Sequence, residues 1–113
     1  MADPEALARA HDTFDPIVQE HLALPETDIG RMFGTEGLRV RGKVYAFLTS
    51  HGVLVVKLPS ARIDELVADG AAERMRMRGN PLREWADLDV RRGTAGWGDI
   101  IREARSFVAS ITP

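Results

Sequence analysis

The sequence predicts an α+β fold, in which five antiparallel strands form a curved sheet and the elements follow the order α-β-β-β-α-β-β-α. Three observations predict it. Apolar runs between residues 32 and 58 are separated by glycine turns, two alternating stretches follow residue 72, and helix-start residues precede three apolar periodic stretches. A chain of 113 residues is sufficient for one core. We therefore expect one domain over residues 1–113, with residues 1–14 as a candidate for a loosely ordered N-terminal extension.

The stretch from Met32 to Leu58 is the predicted centre of the sheet. Its three apolar runs are separated at Gly37, Arg41-Gly42 and His51-Gly52, a pattern that is typical of a meander with tight turns. The first run alternates apolar residues with arginines, which indicates a half-buried strand. The second and third runs are apolar at every position, so we expect both faces of the central sheet to be covered.

Proline and glycine predict where the helices begin and end. The first firm helix is expected to begin at Asp15-Pro16 and to end before Pro25. A second helix is expected to begin at Pro59-Ser60, with Ser60 as its cap, and to end at a left-handed Gly70. The third begins at about Trp97 and carries a wide apolar stripe: Ile100, Ile101, Ala104, Phe107, Val108 and Ile111.

Two alternating stretches predict the last two strands. From Glu73 to Arg78, methionine and arginine alternate, which places Met75 and Met77 in the core and three arginines on the opposite face. The fifth strand runs from Glu84 to Val90. Because acidic residues lie close in sequence, we expect the arginines to form cross-strand ion pairs rather than to bind nucleic acid.

Composition excludes several classes of protein. The chain has no cysteine, which excludes disulfides, thiolate metal sites and a cysteine nucleophile. No apolar run approaches the ~20 residues needed to span a bilayer, and the acidic amino terminus does not resemble a secretory signal. The net charge of -2 does not favour nucleic-acid binding. A cytoplasmic protein without a membrane segment is expected.

One constellation is a candidate anion-binding site. Arg91 and Arg92 precede a glycine-rich turn, and Thr94 and Gly96 lie at the start of the last helix, where free backbone N–H groups attract anions. The alternative is a strand-to-helix turn with solvated arginines. His11, His21 and His51 lack the spacing of metal ligands. We predict no catalytic residue, no metal and no cofactor.

Five segments carry a resemblance to a known family: Arg31-Met32-Phe33-Gly34, Gly37-Leu38, Gly42-Lys43-Val44-Tyr45-Ala46, Val55-Val56-Lys57-Leu58-Pro59 and Arg83-Glu84-Trp85. Together they resemble the TfoX N-terminal domain-like group, small bacterial proteins related to the YjbR and MmcQ families. The resemblance covers residues 28–110 and implies helices packed on a curved antiparallel sheet, as in type III secretion chaperones. The chain departs from the family pattern at Gly79-Asn80-Pro81-Leu82.

The function expected from these observations is that of a small, non-enzymatic binding or regulatory module that acts through protein-protein contacts. The alternative is a small-molecule or anion-binding enzyme subunit that uses the turn at residues 91–98. A homodimer is expected, because both faces of the central sheet are apolar and few helices are available to cover them. Its predicted interface comprises Tyr45, Phe47, Leu54 and Val56.

Overall fold

The computed structural model describes residues 3–32 and 35–113, and these form an α+β domain with three helices and a six-stranded antiparallel sheet. The helices are α1 (Pro4–Leu22), α2 (Ser60–Ala68) and α3 (Trp97–Ile111), and a short 3-10 helix covers Val90–Arg92. The strands are β1 (Thr27–Met32), β2 (Thr35–Val40), β3 (Lys43–Leu48), β4 (Val53–Lys57), β5 (Glu73–Met77) and β6 (Asn80–Asp89).

The prediction of five strands is wrong by one, because β1 precedes the expected meander. The strands lie side by side in the order β1-β2-β3-β4-β6-β5. In β1, Ile29 pairs with Leu38 and Gly30 with Gly37, so its register is set by pairing with β2 rather than by an apolar pattern of its own. The segment Phe33-Gly34 of the family resemblance lies outside the described residues.

The first helix is longer than predicted. It begins at Pro4, after Asp3 accepts hydrogen bonds from the backbone N–H groups of Glu5 and Ala6, and continues to Leu22. Residues 4–14, which were expected to belong to a loosely ordered extension, are thus part of α1. Pro16 lies inside the helix on its exposed side, where water can hydrate the carbonyl group that lacks its amide donor.

The three helices and one face of the sheet enclose the main core. Register places Leu38 opposite Ala46, and the same row continues through Val56 and Ala86. A bulge in β3 turns Tyr45 onto this face, where the side chain is 0% exposed. The helices contribute further buried side chains: Ala6, Ala10, Phe14, Ile63, Leu66, Trp97, Ile100, Ile101, Ala104 and Val108.

The opposite face of the sheet holds a smaller apolar group. Phe47 and Val55 are register partners there, and both are buried although they lie outside the main core cluster. The Trp85 ring lies 6.1 Å from the Phe47 ring, and the Lys57 ammonium group lies 5.6 Å from the Trp85 ring centroid. Trp85 therefore faces away from the main core, whereas its neighbour Ala86 faces into it.

Two apolar residues expected in the core are exposed. Met77 is 45% exposed at the end of the edge strand β5, and Ile111 is 51% exposed in the last turn of α3. Both expectations were wrong because each residue lies at the end of its strand or helix. The apolar periodicity of the sequence continues to that end, but no neighbouring element covers it. The rest of the α3 stripe packs on the sheet, with Ile101 and Ala104 fully buried.

The arginine row was predicted on the face opposite the core, and this is wrong for Arg74. Arg74 is the register partner of the core residue Ala86, and its guanidinium group donates to the carboxylate of Asp64 in α2. It also donates to the carbonyl and hydroxyl oxygens of Ser60, at 3.0 and 3.1 Å. Ser60 is therefore the first residue of α2 and an acceptor, not the side-chain cap that was predicted. Arg76 donates to a turn carbonyl, and Arg78 lies in that turn with a φ of 54°.

Candidate functional site

The predicted anion site is already satisfied within the chain. Arg91 donates to both oxygens of Asp89, at 3.1 and 2.8 Å, and this guanidinium group lowers the pKa of that carboxyl. Arg92 donates to the backbone carbonyl of Gly70 and to Glu73. Since both arginines hold acceptors of their own chain, neither has its full donor capacity available to a bound anion.

The other two residues of the predicted anion site have separate positions. Gly96 is the N-cap of α3 with a φ of 85°, and no side chain caps this helix. Thr94 lines a shallow surface cavity with Arg91 and the α1 residues Arg9 and Asp12. The structure brings Thr94 and Arg91 to the same cavity, whereas Arg92 and Gly96 do not line it.

The three histidines lie in different surroundings. His21 is 2% exposed, and its Nδ1 lies 2.7 Å from the hydroxyl oxygen of Tyr45. Burial, and then the positive charge of Arg105, lowers the pKa of His21, so this ring is neutral at neutral pH. His11 lies 2.8 Å from Asp15 on the exposed side of α1, and His51 is exposed in the β3–β4 turn.

The feature that sequence reasoning missed is a groove between α1 and the strands β1, β2 and β3. We call it the α1 groove. Its wide end is a cavity of about 370 Å³, and a second cavity of about 350 Å³ continues it toward the β3–β4 turn. The two share His11, Thr35 and Leu48. From Leu7 to Val18, the lining residues of α1 extend about 16 Å along the helix.

The α1 groove has an apolar floor and a polar rim. The floor of the wide end comprises Phe14, Val18, Ile29, Leu38 and Leu48. The rim comprises His11, Asp15, Arg31, Thr35 and Glu36. A concave site of this size with an apolar floor and a few polar groups is the usual form of a ligand site. No local motif predicts it, because the lining comes from four separate elements.

The rim of the wide end contains a hydrogen-bonded pair, His11 and Asp15, and a pair of opposite charges that do not contact each other, Arg31 and Glu36, which we call the open charge pair. His11 and Asp15 contact each other one turn apart on α1. Arg31 and Glu36 are register partners on β1 and β2, yet neither side chain has a hydrogen bond or ion pair within residues 3–32 and 35–113. Opposite charges directly across an antiparallel pair usually attract each other, yet these two side chains are exposed and line the same cavity without contacting each other.

A second unusual polar group is the carboxyl of Asp87 in β6. It lies on the face away from the core, opposite Val55 and Glu73. Its Oδ1 is buried without a hydrogen-bond partner among the described residues. Burial, followed by the negative charges of Glu73 and Asp89, raises the pKa of Asp87 to about 6. The side chain lines a cavity between α2 and the β5–β6 hairpin.

The four residues predicted for a dimer interface are divided between the two faces of the sheet. Tyr45, Leu54 and Val56 are each 0% exposed in the main core. Phe47 lies on the opposite face and is 3% exposed. The helices cover the first three within one chain, so these side chains do not form one exposed patch.

Comparisons with known proteins provide no family for the chain: no family model, curated protein or solved structure matches it. In the described part of the chain, no three histidine, aspartate or glutamate side chains come together as metal ligands. None of the helices found there is both long enough and apolar enough to cross a membrane.

Proposed function

We propose that this protein is a small non-enzymatic binding module of the TfoX N-terminal-like group and that it acts in the cytoplasm through protein-protein contacts. The observation that supports a binding role is the α1 groove, in which a rim of polar and charged side chains borders an apolar floor whose Val18 and Ile29 are partly exposed. The proposed occupant is a short extended segment of a partner protein.

The shape of the α1 groove supports an extended segment. A length of about 16 Å holds about five residues of extended chain, which advance ~3.3 Å each. A segment in the groove would lie against side chains of the sheet face, whereas the unpaired backbone groups of β1, an edge strand, point outward in the plane of the sheet. Its contacts would therefore be with the apolar floor and the charged rim of the groove.

A display selection of random peptides on the immobilised protein tests this proposal. Selected peptides are then titrated by fluorescence anisotropy against three proteins: the natural sequence, His11→Trp and Gln19→Trp. His11 is exposed and lies where the two cavities meet, so tryptophan there blocks the groove without entering the core. Gln19 is exposed on the same helix and lines neither cavity.

We expect His11→Trp to weaken peptide binding at least about tenfold, which corresponds to about 1.4 kcal/mol. Gln19→Trp should bind as the natural sequence does. If no peptide is selected, or if the two variants bind equally well, the α1 groove is not the binding surface.

A homodimer is a second proposal, and its basis differs from the one the sequence suggested. A dimer through Tyr45, Leu54 and Val56 would require these side chains to leave the core. We therefore assign the contact to the opposite face, where Val44, Val53 and Trp85 are partly exposed around Phe47. Light scattering during size exclusion tests it: a mass near 12.5 kDa rejects the dimer, and a mass near twice that value supports it.

The rival function is an anion-binding enzyme subunit that uses Arg91 and Arg92. It has weaker support, because Asp89 and Glu73 already neutralise these side chains. A phosphate titration followed by amide chemical shifts distinguishes the two. Saturable shifts confined to Thr94 and its neighbours would favour the rival.

A further inference from the structure

The open charge pair at the wide end of the α1 groove has the geometry of a receptor for a zwitterion. Arg31 and Glu36 are register partners, and the Cα atoms of such partners lie about 4.5–5.5 Å apart. Their side chains line the same cavity but form no ion pair with each other within the described parts of the chain. A positive and a negative group are thus presented side by side.

The other residues that line the cavity determine which kind of side chain the ligand can have. Phe14, Ile29 and Leu38 form an apolar floor below the two charged groups. A polar side chain placed there would lose its hydration without gaining a partner, whereas an apolar side chain gains from burial. The cavity volume of about 370 Å³ lies within the range of small-molecule sites.

We propose that the wide end of the α1 groove binds a free apolar α-amino acid. The ligand carboxylate accepts from the guanidinium group of Arg31, the ligand ammonium donates to the carboxylate of Glu36, and the apolar side chain lies on the floor. An α-amino acid carries both charges on one carbon atom, so one small molecule reaches both groups. A simple carboxylic acid would make no contact with Glu36 and a simple amine none with Arg31, so each would form one charge-assisted contact instead of two.

The inference rests on the proposed function, because the amino acid and the partner segment would bind in the same groove. It adds that the amino acid regulates binding of the partner. Because the amino acid and the partner segment share the wide end, the amino acid competes with the segment. Free phenylalanine should therefore weaken binding of a selected peptide.

The direct test is calorimetric titration with L-leucine and L-phenylalanine, compared with N-acetyl-phenylalanine and phenylalaninamide. The acetyl group removes the ammonium charge, and the amide removes the carboxylate charge. We expect each capped compound to bind at least about tenfold more weakly than phenylalanine, because each loses one charge-assisted contact.

Three variants assign the contacts. Arg31→Gln should weaken phenylalanine binding but leave phenylalaninamide unaffected, and Glu36→Gln should weaken phenylalanine binding but leave N-acetyl-phenylalanine unaffected. Arg83→Gln is the control, since Arg83 is exposed on β6 and lines no part of the groove. Circular dichroism verifies that each variant is folded, which is expected because Arg31 and Glu36 are exposed.

The inference is overturned if capped and uncapped phenylalanine bind equally, or if neither amino acid binds at millimolar concentration. If peptides still bind in a manner sensitive to His11→Trp, the proposed function survives that result. Conversely, amino-acid binding without any peptide binding supports the inference and rejects the protein partner.

Discussion

The stability of the protein should fall as Asp87 ionises. Its carboxyl oxygen Oδ1 is buried without a partner among the described residues, and the pKa is raised from 3.8 to about 6 in the folded state. The folded protein therefore keeps this proton to a higher pH than the unfolded chain does. As the pH rises through this interval, ionisation favours the unfolded chain, so the free energy of unfolding decreases.

The magnitude follows from the two pKa values. Full ionisation of a carboxyl shifted from 3.8 to about 6 costs about 3 kcal/mol. Asp87 is only partly buried, and solvent screening reduces the expected cost to about 1–2 kcal/mol. Asp87→Asn removes the ionisation, so this variant should be more stable than the natural sequence by that amount at about pH 7 and should lose the advantage at about pH 4.

Urea unfolding, followed by tryptophan fluorescence at a series of pH values, measures the effect. Asp12→Asn is the matched control, since Asp12 is exposed on α1, and its difference from the natural sequence should not follow the same pH profile. A difference between Asp87→Asn and the natural sequence that stays constant from about pH 4 to about pH 8 would refute the reasoning.

Three further substitutions test the packing by the same unfolding measurement. Tyr45→Phe leaves buried His21 without its hydrogen bond and should cost about 1–3 kcal/mol; an unchanged midpoint would contradict this. Gly52→Ala should destabilise more than Gly70→Ala: both glycines have positive φ, but only Gly52 would bring a new Cβ within 3.0 Å of the α1 backbone. Arg74→Ala removes the link between the β5–β6 hairpin and α2 and should cost about 2 kcal/mol, whereas no loss would show that the link is dispensable.

The sequence correctly predicted those strands and helices whose buried face is determined by their own apolar pattern. The apolar runs around Val40, Leu48 and Val56 predicted β2, β3 and β4, because alternating or continuous apolar residues must face a core wherever the strand is placed. The stripe of α3 predicted its buried face for the same reason. The class α+β is thus confirmed, and the number of strands is corrected to six.

The strand β1 could not be predicted from its own residues. It contains Gly30, which weakens strand propensity, and the Arg39 side chain of the neighbouring strand lies over this glycine. A Cβ at Gly30 would lie 2.5 Å from Nε of Arg39. That guanidinium group crosses Gly30 to bind Asp28, at 2.9 and 2.7 Å. The signal is therefore a contact between residues distant in sequence.

The candidate sites show the same limit. The α1 groove requires α1, β1, β2 and β3 in their final positions, so neither Arg31 nor Glu36 is distinctive in the linear sequence. Arg91 and Arg92 are distinctive there, but their partners Asp89 and Glu73 become evident only in the fold. The sequence shows which charged side chains are present. Whether a charged side chain can bind a ligand depends on whether a neighbouring residue in the fold already pairs with it.

The order of the strands also constrains the route of folding. From β1 to β4, each strand pairs with the next along the chain, so these contacts close short loops and can form early. Among the strands that the structure describes, the pairing of β4 with β6 is the one contact that spans a helix and another strand. We expect the closing of that longer loop to be the slower step, because loop closure costs more entropy as the loop lengthens. We expect substitutions at Ala86 or Leu88 to slow refolding, and substitutions at the β5 edge to act mainly on unfolding.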